Sequence, residues 1–255
     1  MLLHGFPDNL RLYDRLLPHL DERRPVVRFD FLGWGSSDKP AGYPYTADNQ
    51  TLDLAAVLDA VADRLGQNRV VLVAHDSSGP PAIDWALDHP DRVSALVLLN
   101  TYYQWLPALR LPLAIALFST PGVRAVARAL AHRRPQVQKR LYSWQVAGFM
   151  SDPAARRELV PELLRAFPST QPAFWRLNED LFGTLLRRRR RIPDMRRFTP
   201  PVRVVFGARD RNLNTRVALR FAELFPNADL HLLPDARHYV QVDEPERVAH
   251  LINTA

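Results

Sequence analysis

Cysteine is absent from this chain of 255 residues. Disulfide bonds and thiolate metal sites are therefore excluded, and a reducing compartment, the cytoplasm, is expected. Long apolar runs are also absent. None approaches the roughly 18 residues that a membrane-spanning helix needs, so we expect no membrane partner. The first residues, MLLHGFPD, lack the basic segment and long apolar stretch of a signal peptide.

Acidic residues are too few to balance the basic ones. The chain has 34 Lys and Arg against 27 Asp and Glu, for a formal net charge of +7. Much of the excess lies in Arg187–Arg191, with Arg196 and Arg197 close behind. No aromatic-interleaved nucleic-acid motif accompanies this run, so we expect no nucleic-acid partner. We interpret the run as a solvated helix end, where cations complement the C-terminal dipole.

Short apolar runs alternate with helical patterns along most of the chain. The pattern predicts helices at 52–65 and 80–88. It predicts buried parallel strands at 25–30, 69–74, 93–99 and 201–206, with a weaker candidate at 228–233. This alternation is typical of an α/β fold with a mostly parallel sheet flanked by helices.

The alternation stops between residues 102 and 197. That stretch is rich in Arg, Leu and aromatic residues, and helical patterns occur at 122–132 and 155–166. We therefore predict an α/β core formed by 1–101 and 198–255, with 102–197 as a helical insertion between two strands.

The stretch VVLVAHDSSGPP, residues 70–81, predicts a strand, a sharp turn and a helix. A nucleophile at such a turn needs small residues two positions before and after it. Asp76 meets this requirement, with Ala74 before it and Ser78 after it. Centring the turn on Ser77 or Ser78 would put a histidine or a proline in a small-residue position. The spacing favours Asp76 as the nucleophile; the alternative is an aspartate that only caps the next helix.

Three further segments, taken in chain order with this turn, carry a family resemblance. HGFPD (4–8) supplies a glycine turn, VVFGARDRN (204–212) contains Asp210, and DARHYVQVDEPERV (235–248) contains His238. At these points the chain resembles the α/β-hydrolase family. The resemblance implies an α/β-hydrolase fold in which 102–197 is a helical cap.

The same resemblance implies the roles of individual residues. Asp76 would be the nucleophile, His238 the base and Asp210 the acid that orients the histidine, while the backbone N–H groups of Phe6 and Ser77 would form the oxyanion hole. His4 and His75 would brace the loops by hydrogen bonds. No metal or other cofactor is expected.

An aspartate nucleophile narrows the substrate. A carboxylate is ionised at neutral pH, and its attack on a saturated carbon gives an ordinary alkyl ester that water can cleave. The expected partner is therefore a small apolar molecule with an electrophilic carbon. Within the resembled family, this aspartate is typical of epoxide hydrolases and of haloalkane and haloacid dehalogenases.

The leaving group separates these two reactions. An epoxide oxygen needs an acid, for which Tyr102, Tyr103 and Tyr142 are candidates, and Trp105 and Trp175 are further candidates for substrate contacts. A halide needs N–H donors, which in the resembled family usually include a tryptophan directly after the nucleophile, where this chain has Ser77. We therefore predict epoxide hydrolysis, with haloalkane dehalogenation as the alternative. The sequence also leaves open a catalytically silent binding protein and a serine esterase that uses Ser77 or Ser78.

The N-terminal segment leads to one more expectation. Family members place two strands before the HGFP segment, and residues 1–3 are too few to form the strand that should lie mid-sheet. Unpaired neighbouring strands expose backbone groups. The sequence therefore predicts poor folding or association into a homo-oligomer.

Overall fold

A parallel sheet of six strands forms the centre of the protein, for which a computed structural model describes all 255 residues. The strand order is β2-β1-β3-β4-β5-β6, and every neighbouring pair is parallel. This confirms the predicted fold class. The strands are β1 (Leu2–Leu3), β2 (Arg28–Phe29), β3 (Val70–Asp76), β4 (Val93–Thr101), β5 (Val202–Gly207) and β6 (Ala228–Leu233).

Alternate residues of each central strand face opposite sides of the sheet, as a period of two requires. In β3, Leu72 and Ala74 belong to the larger apolar cluster, whereas Val73 belongs to the smaller one. In β4, Leu98 and Leu99 divide in the same way. Apolar side chains cover both faces of the sheet, which explains why the central strands appear in the sequence as continuous apolar runs.

Five helices lie outside the segment between β4 and β5. In the first of them, Ala47–Leu65, the sequence sets both ends. The Thr46 side chain accepts a hydrogen bond from the Asn49 N–H at the start, and Gly66 ends the helix with a φ of +62°. These helices are α1 (Ala47–Leu65), α2 (Gly79–Asp88), α9 (Thr215–Leu224), α10 (Val240–Asp243) and α11 (Pro245–Asn253).

Six more helices lie between β4 and β5, where the alternation of the sequence stops. The pattern at 155–166 falls within one of these helices, and the pattern at 122–132 begins one residue before another. No single helix is long and apolar enough to cross a membrane, although α3 and α4, bent by 118°, pass that test as a pair. The six are α3 (Leu113–Ser119), α4 (Val123–Arg133), α5 (Pro135–Gly148), α6 (Pro153–Glu179), α7 (Leu181–Arg188) and α8 (Ile192–Arg197).

The expectation that residues 1–3 cannot form a central strand is wrong. Leu2 and Leu3 pair with β2 on one side and with β3 on the other. The Met1 carbonyl also accepts a hydrogen bond from the Val73 N–H. Two residues suffice because β3, which β4 holds in register, supplies a partner on one side, while β2 pairs on the other. Poor folding and oligomerisation stay predictions.

The arginine run also differs from its interpretation as a solvated helix end. Arg188 is buried, and its Nε and Nη2 donate to the Asp84 carboxylate at 2.9 and 2.6 Å. Its guanidinium also lies over the Tyr103 ring. Arg191 pairs with Asp88. The run therefore connects the segment before β5 to α2, instead of lying wholly in solvent.

Candidate active site

The turn after β3 holds Asp76 in a backbone conformation that few residues other than glycine adopt, with a φ of +50°. Thr101 donates a hydrogen bond from Oγ1 to the Asp76 carbonyl at 2.5 Å. Ser78 is fully buried, and its hydroxyl contacts the carbonyls of Leu3 and His75 at 3.0 and 2.8 Å. The tight packing explains why only small side chains fit on either side of Asp76.

The two carboxylate oxygens of Asp76 have different surroundings. Oδ2 accepts hydrogen bonds from the Phe6 N–H at 3.3 Å and from the Ser77 hydroxyl at 2.8 Å. Oδ1 makes no hydrogen bond and lies 3.7 Å from Nε2 of His238. One oxygen is therefore held by donors, while the other faces the histidine.

His238 is oriented by Asp210, which follows β5. Its Nδ1 lies 2.7 Å from Asp210 Oδ2, to which the Asn100 side-chain amide also donates at 2.8 Å. The N–H groups of Asn212 and Leu213 donate to the other Asp210 oxygen. The structure thus brings together all five residues of the predicted catalytic and oxyanion groups, with Ser77 contacting the carboxylate through its hydroxyl.

Burial and charge have opposite effects on the pKa values of His238 and Asp210. Burial lowers the pKa of His238, but the charge and hydrogen bond of Asp210, together with Asp76 and Asp8, raise it to about 9. Burial likewise opposes the charge on Asp210, but His238 and the surrounding donors hold its pKa below the ordinary 3.8. Each partner stabilises the ionised form of the other.

Two further histidines lie close to this group. His4 is fully buried, with Nδ1 2.6 Å from the Gly5 carbonyl and Nε2 3.5 Å from Asp30. His75 Nε2 lies 3.1 Å from the His238 carbonyl, and burial lowers the pKa of His75 well below 6.5. Neither lines the cavity beside Asp76. Their contacts are with the loops that carry the other residues.

Asp8 is a site residue that the sequence analysis did not single out. It is buried in the wall of the cavity, and its Oδ1 accepts a hydrogen bond from the Tyr239 hydroxyl at 2.7 Å. Burial raises its pKa to about 7, and the charge of Asp76 acts in the same direction. The available signal was its position directly after the HGFP segment.

Replacement of Asp8 by asparagine is expected to change how stability depends on pH. Folding raises this pKa from 3.8 to about 7, so Asp8 contributes stability that is present below about pH 4 and lost as the pH rises through 7. As the pH rises across this window, the free energy of unfolding of wild type should therefore fall by up to about 4 kcal/mol relative to that of Asp8→Asn. Urea unfolding at several pH values measures the difference.

The matched control for this prediction is Asp63→Asn, since Asp63 is exposed and makes no ion pair. That variant should follow the wild-type pH curve throughout. A pH curve for Asp8→Asn that runs parallel to the wild-type curve between about pH 4 and 7 would show that Asp8 titrates normally in the folded protein.

A cavity of about 60 Å³ opens beside Asp76. Its wall combines the turn residues with apolar side chains from the segment between β4 and β5, among them Ile115, Phe149 and Phe174. Of the five predicted substrate contacts, Tyr102 lines it. Burial and the charge of Asp76 raise the pKa of the Tyr102 hydroxyl, so it stays protonated at neutral pH.

The other four predicted contacts lie outside this lining. Tyr103 donates to Asp84 at 2.5 Å beneath Arg188. Trp105 packs near Phe182, and Trp175 packs near Phe118 and His132. Tyr142 stacks on Phe167 and lines a neighbouring groove. They lie in loops and helices whose facing direction a sequence pattern does not give.

The parallel sheet, the strained turn after β3 and the buried His–Asp pair define a hydrolase of the α/β class. The sequence profile for the alpha/beta hydrolase fold matches residues 1–245, and the chain belongs to that family. No group of three or more His, Asp or Glu side chains is arranged to hold a metal ion. A reaction without metal or cofactor stays a prediction.

Known relatives include dehalogenases. The chain is 27% identical to haloalkane dehalogenase 2 of Mycobacterium tuberculosis over 265 residues, which cover 99% of this chain and 85% of that protein. It is 40% identical to a fluoroacetate dehalogenase of Burkholderia sp. over 100 residues, 39% of this chain and 33% of that protein.

A solved structure supports the fold alone. The 2-hydroxy-6-oxo-6-phenylhexa-2,4-dienoate hydrolase of Rhodococcus sp. strain RHA1 superposes with a TM-score of 0.80 at 18% identity. The match covers 98% of this chain and 87% of that one.

Proposed function

We propose that the protein hydrolyses carbon–halogen bonds of small organic molecules through an alkyl ester on Asp76. The observation that carries this proposal is the carboxylate at the strained turn, with one oxygen held by donors and the other directed at His238. A carboxylate nucleophile suits attack on a saturated carbon.

In the first step, Asp76 Oδ1 attacks the carbon that carries the halogen. A C–O bond forms, the carbon–halogen bond breaks, and the halide leaves with the bonding electron pair. Oδ1 is suited to this attack because its lone pairs are not engaged in hydrogen bonds. No base is needed, since the carboxylate is already ionised.

In the second step, water cleaves the ester. The ester removes the negative charge of Asp76, which contributes to the raised pKa of His238, so the histidine can lose its proton to solvent at this stage. The neutral His238 then takes a proton from the water, and the resulting hydroxide attacks the ester carbonyl carbon. Negative charge then develops on Oδ2, the atom to which the Phe6 N–H and the Ser77 hydroxyl donate. Loss of the alcohol restores the Asp76 carboxylate, and His238 releases its proton to solvent.

Two observations support halide as the leaving group. The relatives named haloalkane dehalogenase and fluoroacetate dehalogenase match this chain, the former over nearly its full length. The cavity is small and mostly apolar, which suits a halogenated molecule of few atoms. Donors that line it include the Tyr102 hydroxyl and the side-chain amide of Gln145.

The segment 102–197 is proposed to act as a cap over the core formed by 1–101 and 198–255. Helices α3, α5, α6 and α7 each contribute side chains to the cavity wall. A cap of this kind excludes bulk water from the ester, so that only a water beside His238 reacts.

Halide release from small bromoalkanes and chloroalkanes tests the proposal. Wild type should release halide, and Asp76→Asn should not. Absence of halide release from a range of small substrates would leave the silent binding protein as the better interpretation. A wild type that instead reacts with a fluorophosphonate probe would favour the serine esterase.

Epoxide hydrolysis is the second candidate, favoured by the protonated Tyr102 hydroxyl in the cavity wall. Ring opening produces an alkoxide, which needs a proton donor, whereas halide departure does not. Tyr102→Phe is therefore expected to lower epoxide turnover by about 10²-fold or more, and halide release by about 10-fold or less. Steady-state rates on an epoxide and a bromoalkane of equal size measure this difference.

Tyr43→Phe is the matched control, because the Tyr43 hydroxyl bonds to Asp53 and does not line the cavity. It should leave both rates unchanged. Equal losses on the two substrates in Tyr102→Phe would mean that Tyr102 supports the cavity without protonating a leaving group.

A further inference from the structure

Helices α3 to α5 present an unusual amount of apolar surface to solvent. Eight of the fourteen large apolar residues that are exposed lie between Leu113 and Trp144. Trp144 is 76% exposed and Leu113 is 67% exposed. Scattered apolar residues are normal on a protein surface, but a concentration of this kind indicates a binding surface.

These side chains are contiguous. Six of them line one groove of about 300 Å³: Leu113, Leu117, Leu130, Val137, Leu141 and Trp144. The groove shares Pro7, Gln145 and Phe174 with the cavity beside Asp76. An apolar molecule that enters the groove is therefore next to the candidate active site.

The same helices carry cations and no acids. Between Asp91 and Asp152 the chain has no Asp or Glu. Arg133, Arg134, Lys139 and Arg140 lie on or between α4 and α5, and none of them makes an ion pair. We call the six groove residues and these four cations the basic apolar face.

We propose that the basic apolar face binds the surface of an anionic lipid membrane. Apolar side chains would enter the acyl region, and the unpaired cations would contact anionic headgroups. Trp144 is suited to the boundary, because its indole combines an apolar ring with a polar N–H. This binding does not depend on the chemistry at Asp76.

Charge argues against a second copy of the chain as the occupant. A symmetric pair would bring two acid-free, cationic surfaces together, and like charges repel. The expectation of no membrane partner is based on the absence of long apolar runs. That absence excludes membrane-spanning helices and does not exclude binding at a membrane surface. Here the surface is assembled from three short helices, none of which is a spanning segment.

Vesicle sedimentation tests the proposal. Wild type should sediment with vesicles that contain phosphatidylcholine and anionic phosphatidylglycerol, and far less with phosphatidylcholine alone. Substitution of Arg133, Arg134, Lys139 and Arg140 by Gln should weaken binding by about 100-fold or more. Trp144→Ala tests the apolar part and should also weaken it.

The control removes the same charge elsewhere. Arg189, Arg190, Arg196 and Arg216 are exposed and make no ion pair. Their substitution by Gln should leave sedimentation close to wild type. An equal loss in this control, or no sedimentation of wild type, overturns the proposal. The proposal is also overturned if the protein self-associates in the absence of vesicles and Trp144→Ala abolishes that association. The occupant of the face would then be a second copy of the chain.

Discussion

A His238→Ala enzyme is expected to accumulate an ester on Asp76 when it is incubated with a small bromoalkane. Formation of the ester needs only the ionised carboxylate, whereas its cleavage needs a base to take a proton from water. Turnover should therefore fall by about 10⁴-fold, while one alkyl group remains on the protein. Intact-protein mass spectrometry and peptide mapping of residues 70–81 measure the adduct.

Two variants control this result. His231→Ala removes a histidine whose ring hydrogen-bonds to Asp229 outside the cavity, and it should retain wild-type turnover without an adduct. Combining His238→Ala with Asp76→Ala should abolish the adduct. An adduct on another residue would contradict the mechanism, and so would unmodified protein after many expected turnovers.

Replacement of Gly79 by alanine is expected to destabilise the protein strongly. A Cβ at this position would lie 1.8 Å from Thr101 Oγ1 and 2.9 Å from Thr101 Cβ. Thr101 cannot turn away freely, because Oγ1 donates to the Asp76 carbonyl. We expect a loss of about 3 kcal/mol in the free energy of unfolding, together with lost activity as the turn moves.

Gly148→Ala provides the matched control, since a Cβ there meets no atom within 4 Å. Gly148 is the last residue of α5, so alanine should be neutral or slightly stabilising. Urea unfolding measures both variants. Adding Thr101→Ala to Gly79→Ala should recover part of the loss. If the losses in unfolding free energy of Gly79→Ala and Thr101→Ala simply add in the double variant, the clash with Thr101 is not the cause of the destabilisation.

The nucleophile position could be predicted from the sequence because steric demand is local. The limits on the neighbours of Asp76 come from residues within three positions of it and from the two adjacent strands, β1 and β4. The helix end at Gly66 is similarly local, since αL geometry favours glycine. Signals of this kind depend on residue types alone.

Other features depend on contacts that are distant in sequence. Tyr103 and Tyr102 are adjacent, yet the first bonds to Asp84 while the second lines the cavity. Arg188 is buried because α2 supplies a carboxylate more than a hundred residues away. Such outcomes need the packing of the whole fold, which apolar periodicity does not give.

Asp8 shows a third kind of limit. Its residue type and motif position were visible, but its burial against Tyr239 was not. A carboxylate in a loop is usually solvated, and only the packed structure reveals one whose pKa is raised.

The buried Arg188 pair has a consequence for how a substrate enters. Arg188 and Arg191 attach the end of the helical segment to α2, whereas Arg124 and Arg128 attach α4 only to α6, another helix of the same segment. Opening on the side of α3 and α4 would break neither Asp84–Arg188 nor Asp88–Arg191. The pairs with α2 therefore fix the end of the segment, and a substrate that enters beside α4 would meet no ion pair between that helix and the core.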